Sequence, residues 1–242
     1  MGEVVLKVEN LRKSYNRGKD YAVDNVSFEI AEKEIVGIIG KNGAGKSTIL
    51  KSVTGVLPFE EGNIFINGFN VLNDPINSKL HLGYVPDVCN AFDKMTGMEY
   101  LNFVADIFNI SKEEREKRVE EFQEIFPLGD SIHYAISAYS HGMKQKISIM
   151  ASLIASPKLW ILDEPLTGLD VQTATSLMAY MKEYAKKGNA VLFSSHNLNN
   201  VEKICNRLII INHGEKVEDC KLSKLQKANG FTLEDYFMEK VK

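Results

Sequence analysis

Cysteine is scarce in this sequence. Cys89, Cys205 and Cys220 are odd in number, widely separated and without a C-x-x-C pair, so neither a disulfide framework nor a cysteine-rich zinc site is supported, and a reducing cytosol fits. Long apolar runs are missing too. No stretch approaches the ~18 residues that a membrane-spanning helix needs, so any membrane role has to be borrowed from a partner. The first residues, Met1 to Val8, alternate apolar and polar side chains like a strand and carry no signal-peptide core; secretion is not expected. Gly2 resembles a myristoylation start, but Leu6 stands where Ser or Thr is required. An excess of one charge is also lacking. A formal net charge of -3 speaks against a nucleic-acid or lipid-surface binder held by bulk positive charge, while local patches stay open. His81, His133 and His213 show no metal-ligand spacing, and there is no internal repeat or low-complexity stretch.

What is present is ordinary globular composition. With 242 residues, 44% hydrophobic and 25% charged, the chain can bury a substantial core in one large or two small domains. Residues 3–10, 21–30 and 63–67 read as strands with partial alternation, and the polar stretches Asn16 to Asp20 and Glu60 to Gly62 break them. That pattern predicts an antiparallel layer. Residues 34–39, 159–162, 190–193 and 208–211 are instead short, nearly continuous apolar runs, the mark of parallel strands covered on both faces. Between about 75 and 156 the pattern turns helical after a short strand at Val85-Pro86. Ser111-Lys112-Glu113-Glu114 is a capping box opening a charged helix over 115–126, stopped by Pro127 and Gly129. Residues 232–241 predict a terminal helix with Leu233, Tyr236, Phe237 and Val241 on one side; packing on its own domain is favoured over a partner contact.

Four motifs stand in fixed order. Gly40-Lys41-Asn42-Gly43-Ala44-Gly45-Lys46-Ser47-Thr48 follows an apolar strand and precedes a helix expected to begin near Lys46, which is the strand, loop and helix context of a phosphate-binding loop. Glycines there let successive N–H groups point at phosphate oxygens, and the helix N-terminus adds partial positive charge. Lys46 can reach the β and γ phosphates, Ser47 can ligate magnesium, and Thr48 serves the α-phosphate end. Asp163-Glu164 closes the buried run 159–162, where bare carboxylates are costly unless a cation or water receives them; Asp163 would hold magnesium and Glu164 polarise an attacking water. Tyr139-Ser140-His141-Gly142-Met143-Lys144-Gln145 precedes a helix expected over 145–155, and Ser194-Ser195-His196 ends the last motif strand.

These motifs together resemble the ATP-binding cassette, or ABC, family over nearly the whole chain. The resemblance implies a single α/β domain over 1–242: a P-loop NTPase core with a parallel sheet, an antiparallel β subdomain, a helical subdomain at about 88–156 and a C-terminal helix at about 231–241. It further implies that Ser140 and Gly142 of one copy complete the ATP site of another, and that His196 touches the γ-phosphate and holds Glu164 and the water. Ser140 taken alone could be an N-cap, and Asp170 fits both a helix cap and the loop that crosses the dimer interface. Tyr15 falls where the family stacks an aromatic ring on adenine, although an exposed loop tyrosine fits the residues equally; the strand-like Tyr21 to Phe28 that follows favours stacking. Cofactor-binding residues are thus Tyr15, Gly40 through Thr48, Ser140 and Gly142. Catalytic residues are Lys46, Glu164 and His196, and Ser47, Asp163 and Asp87 are the metal group.

The sequence departs from the usual L-S-G-G-Q wording at His141, in place of the first glycine, and at Met143, in place of glutamine. A second departure is Asp87 after Pro86, where most relatives carry a glutamine that contacts magnesium and senses the membrane partner. A carboxylate accepts from metal-bound water but cannot donate as an amide does. Both variants are similar to bacterial export-type subunits, so ATPase activity is expected with ATP and Mg2+. Expected partners are an integral membrane permease and a second ATPase, identical or paralogous, with no nucleic acid. The expected location is the cytoplasmic face of the membrane. A soluble ABC protein acting on ribosome or DNA is the alternative, but such proteins usually carry two cassettes, a coiled-coil insertion or basic segments, none of which is here. A P-loop kinase or GTPase leaves residues 139–145 and His196 unexplained. An import subunit is separated poorly, and the lack of a long extension after residue 242 favours export.

Overall fold

The computed structural model describes residues 2–16, 20–88, 92–225 and 232–241; Cys89 and the connection Arg17 to Lys19 lie outside them. In chain order, β1 (Val4–Ser14) and β2 (Tyr21–Ala31) precede β3 (Ile35–Ile39), which leads through the glycine-rich loop into α1 (Lys46–Val53). β4 (Glu61–Ile66), β5 (Phe69–Asn70), α2 (Pro75–Leu80) and β6 (Leu82–Val85) follow. Then come α3 (Gly97–Ile107), α4 (Lys112–Ile125), two short 3-10 turns and α5 (His141–Leu153). The last part runs β7 (Leu159–Leu162), α6 (Val171–Lys186), β8 (Ala190–Ser195), α7 (Leu198–Ile204), β9 (Arg207–Asn212), β10 (Glu215–Lys221), α8 (Leu222–Leu225) and α9 (Leu233–Lys240).

The antiparallel layer is as expected, a four-stranded sheet in the order β2-β1-β4-β5. The six-stranded sheet has the order β10-β9-β3-β8-β7-β6. β6, β7, β8, β3 and β9 are mutually parallel neighbours, and β10 is antiparallel to β9. Every residue of β3, β7 and β8 is buried, because alternate side chains enter two different cores. Ile35, Ile39, Trp160, Leu162, Val191 and Phe193 face the core shared with the helices. Val36, Ile38, Ile161 and Leu192 face a second core, filled from the other side by α1 and the antiparallel layer. Two apolar faces leave no place for the polar alternation of a half-exposed strand.

Several boundaries differ from expectation for local reasons. The strand expected at Val85-Pro86 spans Leu82–Val85 and stops before the proline, which has no N–H to donate to a ladder. α5 begins four residues earlier than expected, at His141, because Ser140 caps it by accepting the Met143 N–H at 3.3 Å. Only half of the capping box at α4 forms. Ser111 Oγ accepts from Glu114 N–H at 3.2 Å, but the Glu114 carboxylate turns to Arg118, 2.9 Å away. Complete boxes form instead at Thr96 with Glu99 and at Thr232 with Asp235. β10 was not anticipated: none of its residues is buried, and it returns through His213-Gly214, both with positive φ, as a two-residue hairpin turn requires.

Helices α3 to α5 lie between the adjacent strands β6 and β7 in sequence. Phe122 of α4 and Phe126, which caps its C-terminal end, pack edge-on to Tyr180 of α6, which also meets Trp160 of β7. Aromatic edge contacts of this kind add to the burial of apolar area, and they bind the helical segment to the sheet. α9 packs on its own chain, with Leu233 and Val241 buried and Tyr236 and Phe237 partly so.

Candidate functional site

β3 ends in a loop that wraps the start of α1. Gly45, its N-cap, has a φ of 109°, and a Cβ there would lie 2.4 Å from the Ala22 carbonyl oxygen; torsion and space both demand glycine. Lys46 is 7% exposed, and its ammonium donates to the carbonyls of Gly40 at 2.8 Å and Lys41 at 3.3 Å. Burial lowers the pKa of Lys46, and the charges of Glu164 and Asp163 oppose that shift. Lys41 points elsewhere, its ammonium donating to the Val241 carbonyl at the end of α9, 3.2 Å away. Tyr15 is 67% exposed, and its hydroxyl lies 3.2 Å from Thr48 Oγ1.

The carboxylates meet this loop through the strand order. β7 and β8 are neighbours and β8 lies beside β3, so the ends of three strands converge. Asp163 is 1% exposed; its Oδ1 accepts from Ser47 Oγ at 3.0 Å and from Ser194 Oγ at 2.6 Å. Asp163 Oδ2 is buried with no hydrogen-bond partner. A free anionic oxygen beside the Ser47 hydroxyl suits a hard divalent cation, which takes oxygen donors. Glu164 has a φ of 48°, unusual for a residue with a side chain. Its N–H donates to Ser194 Oγ at 2.9 Å, and its Oε2 lies 3.0 Å from His196 Nδ1. Ser194 therefore bridges both acidic residues, a part that motif spacing did not single out. The only signal was a hydroxyl pair, Ser194-Ser195, ending an otherwise apolar strand.

Asn42, Ser47, Thr48, Tyr15, Asp87 and Glu164 all line one cleft of about 380 Å³. The structure thus brings Asp87 across from the phosphate loop. Ser140 and Gly142 do not line that cleft; they stand at the first turn of α5, where Ser140 is exposed. A single chain therefore assembles the loop, the acids and His196 but not the serine-bearing turn.

The sequence profile of the family described as ABC transporter matches residues 23–167, most of the chain and both motifs that carry the cleft's acids and glycines. The chain belongs to the ABC transporter ATP-binding family. It is similar to the ABC-type transporter ATP-binding protein EcsA of Bacillus subtilis (strain 168), 35% identical over 241 residues, covering 98% of this chain and 97% of that protein. The solved structure of an ATP-binding subunit of an ABC transporter superposes with a TM-score of 0.92 at 29% identity, covering 98% of this chain and all of that one. A dimeric, post-hydrolysis structure of the ATP-binding cassette MJ0796 bound to ADP and Pi superposes with a TM-score of 0.80 at 26% identity, over 90% of this chain and 98% of that one. The α/β architecture expected from the sequence is the ABC ATPase fold. Among the described residues, no helix of this ABC ATPase is long and apolar enough to cross a membrane.

Proposed function

We propose that this chain is the ATP-hydrolysing subunit of an exporter, and that it drives a separate membrane permease by closing with a second copy or a paralogue on two ATP molecules. The observation that carries the reading is the division of the site. The phosphate loop and Glu164 line one cleft, with Asp163 bonded to its Ser47 and His196 3.0 Å from its Glu164, while Ser140 and Gly142 are not among the residues lining it and stand at a helix start suited to an anion.

In this reading the N–H groups of Gly43 to Thr48 cradle the phosphates, with Gly40, Lys41 and Asn42 forming the approach. Lys46 exchanges its carbonyl partners for the β and γ phosphate oxygens, and Tyr15 stacks on adenine. Glu164 takes the proton as a water oxygen attacks the γ-phosphorus and the bond to the β–γ bridging oxygen breaks, giving ADP and phosphate. His196, already 3.0 Å from Glu164, orients that carboxylate. Ser47 and Asp163 would hold magnesium, with Asp87 lining the same cleft; when bound, the ion would neutralise charge on the transferring phosphoryl group. Ser140 and Gly142 of the facing copy cap the γ-phosphate, so closure and hydrolysis are linked.

The permease reading draws support from exposed apolar side chains in the helical segment and just before it. Val88, next to Asp87, is 62% exposed, and the exposed Phe92 and Phe103 pack together with ring centroids 5.4 Å apart, as fits a protein partner. Residues 88–156 would then be the helical subdomain that receives the permease. The chain is tested by recovery under its own expression level. Co-purification from detergent-solubilised membranes with an integral protein that stimulates its ATPase supports the reading, whereas co-sedimentation with ribosomes or DNA supports the soluble alternative and sinks it.

A finer expectation concerns Asp87. Asp87→Ala removes a cleft carboxylate without changing a residue of the phosphate loop. Partner-stimulated turnover is expected to fall about fivefold or more while ATP affinity changes less than about twofold. Equal losses in both would refute a coupling role.

A further inference from the structure

The first turn of α5 carries a side chain where the family motif has glycine, and that side chain, though exposed, lies against the turn that follows Glu164. His141 lies over Gly168: a Cβ added at Gly168 would stand 2.1 Å from His141 Cδ2 and 2.7 Å from Nε2. Gly168 has a φ of 76° and belongs to the turn that leaves Glu164. Within that turn the Thr167 N–H donates to the Glu164 carbonyl at 3.1 Å, and Asp170 ends it by capping α6. Four residues along α5 from His141, Gln145 Nε2 donates to the Pro165 carbonyl at 3.4 Å from a position only 2% exposed. The turn 165–170 is therefore held against the start of α5 at both of its ends, by Gln145 near Glu164 and by His141 near Asp170.

Glycine at 141 would leave the second anchor empty. Glu164 holds a left-handed backbone conformation that persists only where its surroundings fix it, so the anchoring of the turn bears on where its carboxylate stands. Resting on the reading above, in which Glu164 is the base and Ser140 meets the facing copy's nucleotide, we propose that His141 is a positioning residue. Its imidazole is a strut between the serine-bearing turn at the start of α5 and the Glu164 turn of the same chain, so that seating Ser140 on a phosphate also sets Glu164 for hydrolysis. Contact, rather than charge, is what the strut supplies.

The test compares His141→Gly, Gly168→Ala and the double variant by kcat, KM for ATP and thermal midpoint, and adds His141→Gly to the Glu164→Gln chain for ATP-driven dimerisation by light scattering. His141→Gly is expected to lower kcat roughly tenfold with KM within about twofold, as small misplacement of a reacting group does. Dimerisation of the double His141→Gly, Glu164→Gln chain is expected within about twofold of Glu164→Gln alone. Gly168→Ala carries backbone strain in either background, but it collides with the imidazole only when His141 is present. Its harm should therefore shrink severalfold in the double variant, a non-additivity that direct contact produces. His141→Gln, long enough to cover Gly168, should regain at least about half of the lost kcat. Unchanged kcat in His141→Gly would overturn the strut, and so would equal harm from Gly168→Ala in both backgrounds. A fall in kcat that tracks loss of fold or of dimerisation also counts against it. A Glu164→Gln chain that binds ATP yet never pairs would instead sink the two-copy reading, because the kcat comparisons are made with Glu164 intact.

Discussion

Glu164→Gln is expected to reduce ATP turnover by roughly a hundredfold or more while leaving a stable ATP-bound dimer. The amide has nearly the shape of the carboxylate, so the backbone N–H to Ser194 and the acceptor facing His196 Nδ1 can both persist. What is lost is the ability to take a proton from the attacking water. In the proposed mechanism nucleotide binding rests on the phosphate loop and Lys46, which the substitution leaves alone. A site that binds but cannot hydrolyse accumulates its closed form, because product release no longer reopens it. Phosphate release and light scattering with ATP and magnesium report the two effects separately. A variant that binds ATP and stays monomeric would refute the two-copy mechanism; one that hydrolyses ATP within about tenfold of the parent would remove Glu164 as base.

Asp163→Asn is expected to act on the metal side. In the folded chain Asp163 is almost fully buried, and one oxygen takes both hydroxyl donors while the other has none. Asparagine keeps an acceptor for Ser47 and Ser194, relieves a desolvated charge and adds an unpaired NH2 group. These changes oppose each other, so stability without nucleotide should move by no more than about 2 kcal/mol. The response to ligand should move far more. Ligand at a hundred times its dissociation constant stabilises by about 2.7 kcal/mol, which in a domain of this size raises the thermal midpoint by roughly 5–10 °C. That shift with ATP and magnesium should vanish in Asp163→Asn, and chelation should abolish it in the parent. Turnover should fall about a thousandfold. An undiminished shift in the variant would remove Asp163 from the metal group.

The two predictions draw on different kinds of legibility. Glu164, His196 and the phosphate loop could be singled out because their motifs recur at fixed spacing and in fixed order along the chain. Tyr15 and Asp87 were placed by the family resemblance, and both line the cleft. Ser194 stood in the fourth motif but was given no role, because nothing in that spacing ties a serine at a strand end to Asp163. The early start of α5 was missed because Ser140 was weighed as a phosphate contact more than as a cap, and its capping bond fixes the first turn. β10 escaped because its charged residues carry no apolar run, and His213-Gly214 is a weaker turn signal than the usual Asn-Gly.

The sequence by itself determined the local geometry: glycine where φ is positive at Gly45, buried runs where strands carry apolar side chains on both faces, and helix starts where Ser, Thr or Asp can cap. These depend on near neighbours, and spacing records them. Tertiary structure alone decided that Ser47 and Ser194, 116 and 31 residues from Asp163, share its one oxygen and leave the other free. It also decided that Lys41 reaches the end of α9 across 200 residues, and that Ser140 stands outside its own chain's cleft. The physical reason is that hydrogen bonds between distant segments follow from which strands lie side by side. The order β3-β8-β7 is set by burial of two cores, not by any motif that spacing along the chain can carry.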